Sequence, residues 1–194
     1  MRKSIAVAML LVAAALPLSA AKKSKETSKE RFVDSEAYKE KDEFRSAIID
    51  DYEDLVAGED IEWLWVKDGV KLSDYKFKLS GKFVNKSEIN DKSMMSTFNE
   101  NFDEVVNSRN EKAAKGTLTV DGGVYWAERM SRGKMWIPYA GGHLAQAGAG
   151  IELVFKDSKG NVVAKMRHSG RQGDKPEEAA EELLDDVANY VADH

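Results

Sequence analysis

The chain has 194 residues, a formal net charge of −5 and no cysteine. An acidic balance without a basic stripe excludes the usual electrostatic footprint of a nucleic-acid-binding protein. Without cysteine the protein has no disulfide bond and no acceptor for a bacterial lipid anchor, so we expect a domain that a packed core alone stabilises.

The N-terminal residues have the pattern of a secretory signal peptide. Arg2 and Lys3 precede an uncharged run, IAVAMLLVAAALPL, which ends at small residues just before Lys22. A basic start, a short apolar run and a small-residue exit are typical of a cleaved export signal, whereas a membrane span needs about 20 apolar residues. We predict a signal peptide over residues 1–21 and a periplasmic location. The alternative is an uncleaved signal that retains the protein at the inner membrane.

A polar segment follows the predicted signal peptide. Residues 22–43 are rich in lysine, glutamate and serine and contain few aromatic residues. Such a composition buries too little apolar surface to order itself. We therefore predict a solvated linker over residues 22–43 and a single domain over residues 44–194.

Apolar residues at helical spacing predict three helices in this domain. They lie in FRSAIIDDYEDLVAGED, MMSTFNENFDEVVNSRNEK and PEEAAEELLDDVANYVADH. Gly58 is a plausible stop for the first helix, and Ser93 is predicted to cap the second. Pro176 fits the first turn of the third helix, where its missing N–H is not needed.

Strand patterns lie between the helices. Alternation predicts strands at IEWLWV and YKFKLS, and IELVFKDSKGNVVAKMRHS reads as a hairpin that turns at Gly160. TLTVDGGVYWAERM is either a tight hairpin or, the interpretation we favour, one long strand with a bulge. This order predicts a single layered α+β domain, with an antiparallel-rich or mixed sheet and helices packed mainly on one face.

The stretch YAGGHLAQAGAG, residues 139–150, raises the question of a phosphate-binding loop. A dinucleotide fingerprint needs a third glycine where Leu153 stands, and it needs a helix rather than a strand to follow. No glycine in the chain precedes the Lys-Ser/Thr pair of a Walker loop. We therefore predict a mobile loop that enters an edge strand, and no cofactor site.

Aromatic residues in or near this stretch form our candidate site for a ligand or a partner: Trp126, Trp136, Tyr139 and His143. Aromatic groups on a glycine-rich loop can form an apolar contact surface. The alternative is that Trp126 and Trp136 pack inward and the loop is only a connection.

The patterns of catalytic and metal-binding sites are weak. The three histidines, His143, His168 and His194, have no metal-ligand spacing, so we predict no metal site. His168 and Ser169 resemble part of a nucleophile pair, but the nucleophile elbow G-x-S-x-G is missing, and we assign no catalytic residue. The acidic residues at 50–60 lack the spacing of a calcium loop. A pair of glycosidase carboxylates stays open, because their separation is spatial.

One stretch resembles a known group of proteins. Residues 48–79, IIDDYEDLVAGEDIEWLWVKDGVKLSDYKFKL, contain D-Y-x-x-L followed by W-V-x-x-G-V-x-L-S-x-Y. This pattern is similar to an uncharacterised family of bacterial envelope lipoproteins, and IELVFKDSKGNVVAKMR with the acidic helix after it resembles the end of the same family. The resemblance spans most of residues 45–193 and implies an exported α+β domain of unknown function. Because this chain has no cysteine, we expect a protein without a lipid anchor.

Two functions follow as hypotheses. The first is a non-enzymatic periplasmic module that binds an envelope protein or assists envelope assembly. The second is a hydrolytic or small-molecule-binding enzyme of the envelope, and convergence of His143, His168 and acidic residues in one pocket would favour it. A third, a scaffold that self-associates by edge-strand pairing at the hairpin, is weakened by the lysines there. The sequence predicts no ligand, reaction, strand order or oligomeric state.

Overall fold

The computed structural model describes residues 29–39, 45–110, 113–131, 133 and 141–194. Their strands are β1 (Val56–Ala57), β2 (Trp63–Val66), β3 (Lys76–Leu79), β4 (Val84–Asn85), β5 (Thr117–Glu128), β6 (Gly148–Lys156) and β7 (Val162–Arg171). Their helices are α1 (Glu36–Lys39), α2 (Lys92–Ser108), α3 (Gly141–Ala145) and α4 (Pro176–Asp193). The strands form one mixed sheet in the order β1-β2-β7-β6-β5-β3. Both β3 and β4 run parallel to β5, and the other pairs are antiparallel. The predicted α+β class is confirmed.

Helices α2 and α4 pack on one face of the sheet, which we call the helical face. Their apolar stripes meet the inward side chains of β5, β6 and β7 in one core, which includes Phe98 and Phe102 of α2 and Leu183 of α4, all fully buried. Such stripes form because apolar residues recur at helical spacing in both segments.

The N-cap of α2 is Asp91, whose carboxylate accepts the Met94 N–H at 3.1 Å, and the prediction that Ser93 caps this helix is wrong. No helix among the described residues is both long and apolar enough to cross a membrane.

The long central strands agree with the predicted hairpin and bulge. β6 and β7 form the hairpin, and Gly160 takes a φ of 82° in its turn. β5 is a single strand whose register shifts between Val124 and Trp126. Gly122 and Gly123 do not turn the chain. An added Cβ would lie 2.5 Å from the Phe83 ring at Gly122 and 2.7 Å from the Ala47 Cβ at Gly123, so glycine admits a close neighbour at each position.

The outer edge of the sheet beside β5 is closed by side chains of α2. Three of them accept outward backbone N–H groups at 2.8–2.9 Å: Asn107 from Phe77, Asp103 from Leu79 and Asn99 from Phe83. Their spacing of four residues places them along one side of the helix, where they occupy the positions of a neighbouring strand. Both hairpin strands, in turn, are paired on both sides within the sheet. The hypothesis of edge pairing at the hairpin is therefore wrong.

The N-terminal part of the domain covers the opposite face, which we call the second face. The predicted helix over FRSAIIDDYEDLVAGED is wrong for its described part, because residues 45–55 contain neither helix nor strand. We call residues 45–52, which cross the sheet, the strap. Part of the predicted linker also packs against this face, since Phe32 is fully buried and its ring lies 5.0 Å from that of Trp63. The exact domain boundary stays a prediction.

Candidate functional site

Two aromatic rings of β5 lie over glycine positions of β6 on the second face. An added Cβ would lie 2.3 Å from the Trp126 ring at Gly148 and 2.4 Å from the Tyr125 ring at Gly150. The alternating glycines of Gly148-Ala149-Gly150 therefore make room for these rings, which answers the question that the glycine stretch raised. β6 lies between β5 and β7, so the prediction of an edge strand here is wrong.

Trp126 is held in a stack with charged neighbours. The guanidinium carbon of Arg171 lies 4.7 Å from the centre of the Trp126 ring, which is a cation–π distance. Arg171 Nη2 donates to Glu128 Oε2 at 2.6 Å, and its Nη1 donates to the Gln146 carbonyl at 3.0 Å. We call Trp126, Arg171 and Glu128 the tryptophan platform. It fixes a planar aromatic ring and a charge-assisted hydrogen bond at the surface in one orientation.

The structure brings Trp126 and His143 of the predicted site to the same end of the sheet. His143 is exposed on α3, and its Nδ1 lies 3.1 Å from Gln146 Oε1. The Gln146 carbonyl contacts Arg171, so a chain of contacts leads from His143 to Trp126. Trp136 and Tyr139 lie outside the described residues, and their part in the site stays a prediction.

A cleft of about 500 Å³ opens beside the platform, and we call it the tryptophan cleft. It is lined by Arg45, Glu88, Ile89, Tyr125, Trp126, Ala127, Glu128 and Arg167. At its mouth Arg45 donates to Glu88, whose side chain is 76% exposed. The lining includes two aromatic residues and two arginines, residue types that are enriched at protein interfaces, together with two glutamates.

A buried ion pair supports the base of this cleft. Arg167 donates to the Glu152 carboxylate, and the two side chains are 8% and 0% exposed. The guanidinium carbon of Arg167 lies 3.4 Å from the centre of the Tyr125 ring. Burial raises the pKa of the Tyr125 hydroxyl to about 12 although the charge of Arg167 opposes this shift, so the ring stays neutral at ordinary pH.

A second cleft of about 430 Å³ lies at the hairpin end of the same face, and we call it the lysine cleft. Its charged lining residues are Lys82, Lys156, Lys165, Asp50, Asp51 and Asp121. Lys156 Nζ lies 2.5 Å from Asp121 Oδ2. Partial burial works against it, but hydrogen bonds from Lys156 and Ser80 hold the pKa of Asp121 below its usual range. The cleft therefore presents charges of both signs and selects for neither.

The histidine and serine that resemble a nucleophile pair do not form one. His168 lies on the helical face, where its Nε2 is 3.0 Å from Asp186 Oδ2 and its Nδ1 accepts the Glu62 N–H at 3.3 Å. Ser169, the next residue of the strand, points to the second face and donates to Glu62 Oε2 at 2.9 Å. His168 therefore cannot activate Ser169.

The other candidates for chemistry are also separated. His143 is exposed on α3 and His168 is buried under α4, so the convergence that would favour an enzyme is not seen among the described residues. The same residues contain no group of three or more acidic or histidine side chains that could hold a metal ion. In the acidic run at 50–60, Asp51 accepts the Glu53 N–H in a local turn.

Sequence reasoning missed the partners of Trp126. Arg171 and Glu128 are brought together by the register in which Gly148 pairs with Glu128 on one side and with Arg171 on the other. The alternation of glycine and alanine at 148–150 inside a strand pattern could have indicated these contacts, because glycine in a strand often marks the close approach of a bulky group.

No family profile and no curated protein matches the chain. Among solved structures, it is similar to the PelC dodecamer from Paraburkholderia phytofirmans at 14% identity and a TM-score of 0.42, over 64% of this chain and 94% of that one. It is also similar to a leucine-to-methionine variant of the PelC dodecamer from the same organism, at 16% identity and a TM-score of 0.41, over 66% of this chain and 94% of that one. Both likenesses are too weak to show a shared fold or function.

Proposed function

We propose that the protein is an exported, periplasmic and non-enzymatic module that binds an envelope protein or assists envelope assembly. The signal-peptide pattern of residues 1–21 supports the export, and the resemblance of residues 48–79 to envelope lipoproteins supports the compartment. The absence of cysteine supports a form without a lipid anchor.

The tryptophan platform is the observation that carries this proposal. Gly148 keeps the space under Trp126 empty of any side chain, although glycine weakens a strand. Arg171 and Glu128 then hold the ring at the rim of a cleft of about 500 Å³. Tryptophan and arginine are the residue types that contribute most to binding energy at interfaces, and a preorganised pair loses little entropy on binding.

The alternative, a hydrolytic or small-molecule-binding enzyme, has no such support. It needs histidine and acidic groups within reach of one substrate position. His143 and His168 have different partners on different parts of the domain. We therefore keep the binding module as the proposed function.

Photocrosslinking in intact cells tests the site. A photoreactive residue replaces Glu88, whose side chain is 76% exposed at the mouth of the tryptophan cleft. The matched control replaces Lys159, an exposed residue of the hairpin turn at the other end of the sheet. We expect one discrete crosslinked protein from position 88 and none from position 159, and loss of that crosslink in a Trp126→Ala background. Equal crosslinks at both positions, or none at 88, would contradict the proposed site.

A separate experiment tests export. N-terminal sequencing of the protein from a periplasmic fraction should begin at Lys22, which follows the predicted cleavage site after Ala21. A chain that keeps its first 21 residues and sediments with the inner membrane would support the uncleaved signal instead.

A further inference from the structure

The strap separates the two clefts of the second face. Along β5, Asp121 and Gly122 line the lysine cleft, Gly123 lies under the strap, and Tyr125 begins the tryptophan cleft. The strap also forms part of the wall of each cleft, since Arg45 lines the tryptophan cleft and residues 48–51 line the lysine cleft. The two clefts are thus neighbours with one irregular segment between them.

One carboxylate makes most of the polar attachments of the strap to the sheet. Glu152 Oε2 accepts three successive backbone N–H groups, those of Ala47 and Ile48 at 2.9 Å and that of Ile49 at 3.1 Å. Its Oε1 accepts the Tyr52 hydroxyl at 2.7 Å. Arg167 pairs with the same carboxylate and donates to the Arg45 carbonyl at 3.0 Å. These bonds meet at one point, whereas a strand ladder is distributed along its length. One separate bond joins Lys165 Nζ of β7 to the Asp51 carbonyl at 2.9 Å.

The apolar attachment of the strap is confined to Ile48, Ile49 and Tyr52, which pack in the small cluster around Phe32. Of its eight residues, only Ile49 and Tyr52 have buried side chains, at 2% and 6% exposed. The remaining strap residues are partly or fully exposed and form no helix or strand. Few buried side chains and the lack of regular secondary structure are the marks of a segment that opens before the rest of a domain unfolds.

We propose that the strap is a latch, which opens while the sheet stays folded and joins the two clefts into one groove across the second face. The lysine cleft of about 430 Å³ and the tryptophan cleft of about 500 Å³ become continuous once residues 45–52 leave the sheet. The latch rests on the proposed function in one respect, since the groove it opens includes the tryptophan platform. The closed form presents the tryptophan cleft and the lysine cleft as two separate sites, and the open form presents one groove long enough for an extended segment of a partner.

A cysteine reporter tests the latch, because the chain has no cysteine of its own. The I49C variant carries a thiol under the strap, and the A164C variant carries one in β7 on the helical face, where Ala164 is fully buried. Without denaturant, we expect a thiol reagent to label I49C at least about tenfold faster than A164C, with a rate that dilute urea does not change. Equal labelling rates with equal urea dependence would overturn the proposal, since both thiols would then be exposed only by global unfolding.

The wild-type chain gives a second readout, because I49C removes side-chain volume and can loosen the strap by itself. Amide hydrogen exchange of Ala47, Ile48 and Ile49 should be independent of dilute urea, while that of Leu153 in β6 should follow global stability. Strap amides that are protected as strongly as Leu153 would overturn the latch.

A matched pair of tyrosine variants tests the attachment. Y52F removes the hydroxyl that donates to Glu152, and Y190F removes a hydroxyl from a largely buried tyrosine of α4. In the I49C background we expect Y52F to accelerate labelling about tenfold and Y190F to leave the rate unchanged. The same rate for both would contradict attachment through Glu152. These measurements need no partner, so the latch can be confirmed even if crosslinking at position 88 fails. Crosslinking at position 88 can likewise succeed even if the latch is contradicted.

Discussion

The two faces of the sheet are built from the same strands by opposite means. On the helical face, β5 to β7 contribute aliphatic and aromatic side chains that meet the apolar stripes of α2 and α4. On the second face, the same strands contribute glycines, two aromatic rings and a buried ion pair, and an irregular strap packs against them. Alternation along a strand allows this, because successive side chains point to opposite faces.

This difference predicts which amino-acid substitutions the domain tolerates. Burial of apolar surface is non-directional, so a side chain of similar volume can replace another on the helical face. Hydrogen bonds to Glu152 and ring contacts over Gly148 depend on direction and on the absence of a Cβ. We therefore expect substitutions of the same nominal size to have different effects on the two faces.

The largest effect is expected at the buried ion pair. Glu152→Gln removes the negative charge beside the buried Arg167 guanidinium and should lower the free energy of unfolding by about 3–5 kcal/mol, as measured by urea denaturation. A double variant, E152M with R167M, removes both charges but still deprives the strap amides of their acceptor. We expect it to recover only part of the loss, and full recovery would show that the amides do not need Glu152.

The apolar core of the helical face should depend mainly on side-chain volume. Leu183→Ala removes a fully buried side chain of α4 and should lower the free energy of unfolding by about 2–5 kcal/mol. The matched control, Leu183→Met, conserves volume and should cost less than about 1.5 kcal/mol. If the methionine variant is as unstable as the alanine variant, packing on this face is as specific as on the second face, and the contrast between them fails.

A single added methyl group tests the platform. Gly148→Ala places a Cβ 2.3 Å from the Trp126 ring, which must move, so we expect a loss of about 1–3 kcal/mol in the free energy of unfolding and a red shift of tryptophan emission. Gly142→Ala is the control, because an added Cβ there meets nothing within 4 Å. A platform that survives G148A with unchanged fluorescence would mean that the glycine is not needed for the position of the ring.

The helical face could be predicted from the sequence, whereas the second face could not. The spacing of Phe98 and Phe102 gives the buried side of α2 directly, because helical periodicity is local. The spacing of Ile48 and Tyr52 is just as helical, yet the acceptor of this segment's N–H groups is Glu152, which is 100 residues from Tyr52 along the chain. A long-range carboxylate that replaces the helical acceptors leaves no local trace.

The candidate site was predictable to the same limited extent. Trp126 was identified because it is an aromatic residue close to the glycine stretch in sequence, and it does lie on the second face beside a cleft. Arg171 and Glu128 were not identified, because their contact follows from the register of three strands rather than from any spacing in the sequence. Residues that meet across a sheet can be named only when the pairing of the strands is known.

The smallest expected effect concerns the start of α2, where a local rule gave the wrong residue. Ser93 was the predicted cap, but Asp91 holds that position, because its carboxylate reaches the Met94 N–H at 3.1 Å. Asp91→Ala should lower the free energy of unfolding by about 1 kcal/mol, and Ser93→Ala should change it by less than about 0.5 kcal/mol. Because both residues stand within two positions of each other at the same helix end, urea denaturation of the two variants compares the caps directly. A larger loss for S93A would mean that α2 begins later than the structure places it and that Ser93, the cap predicted from the sequence, is the true N-cap.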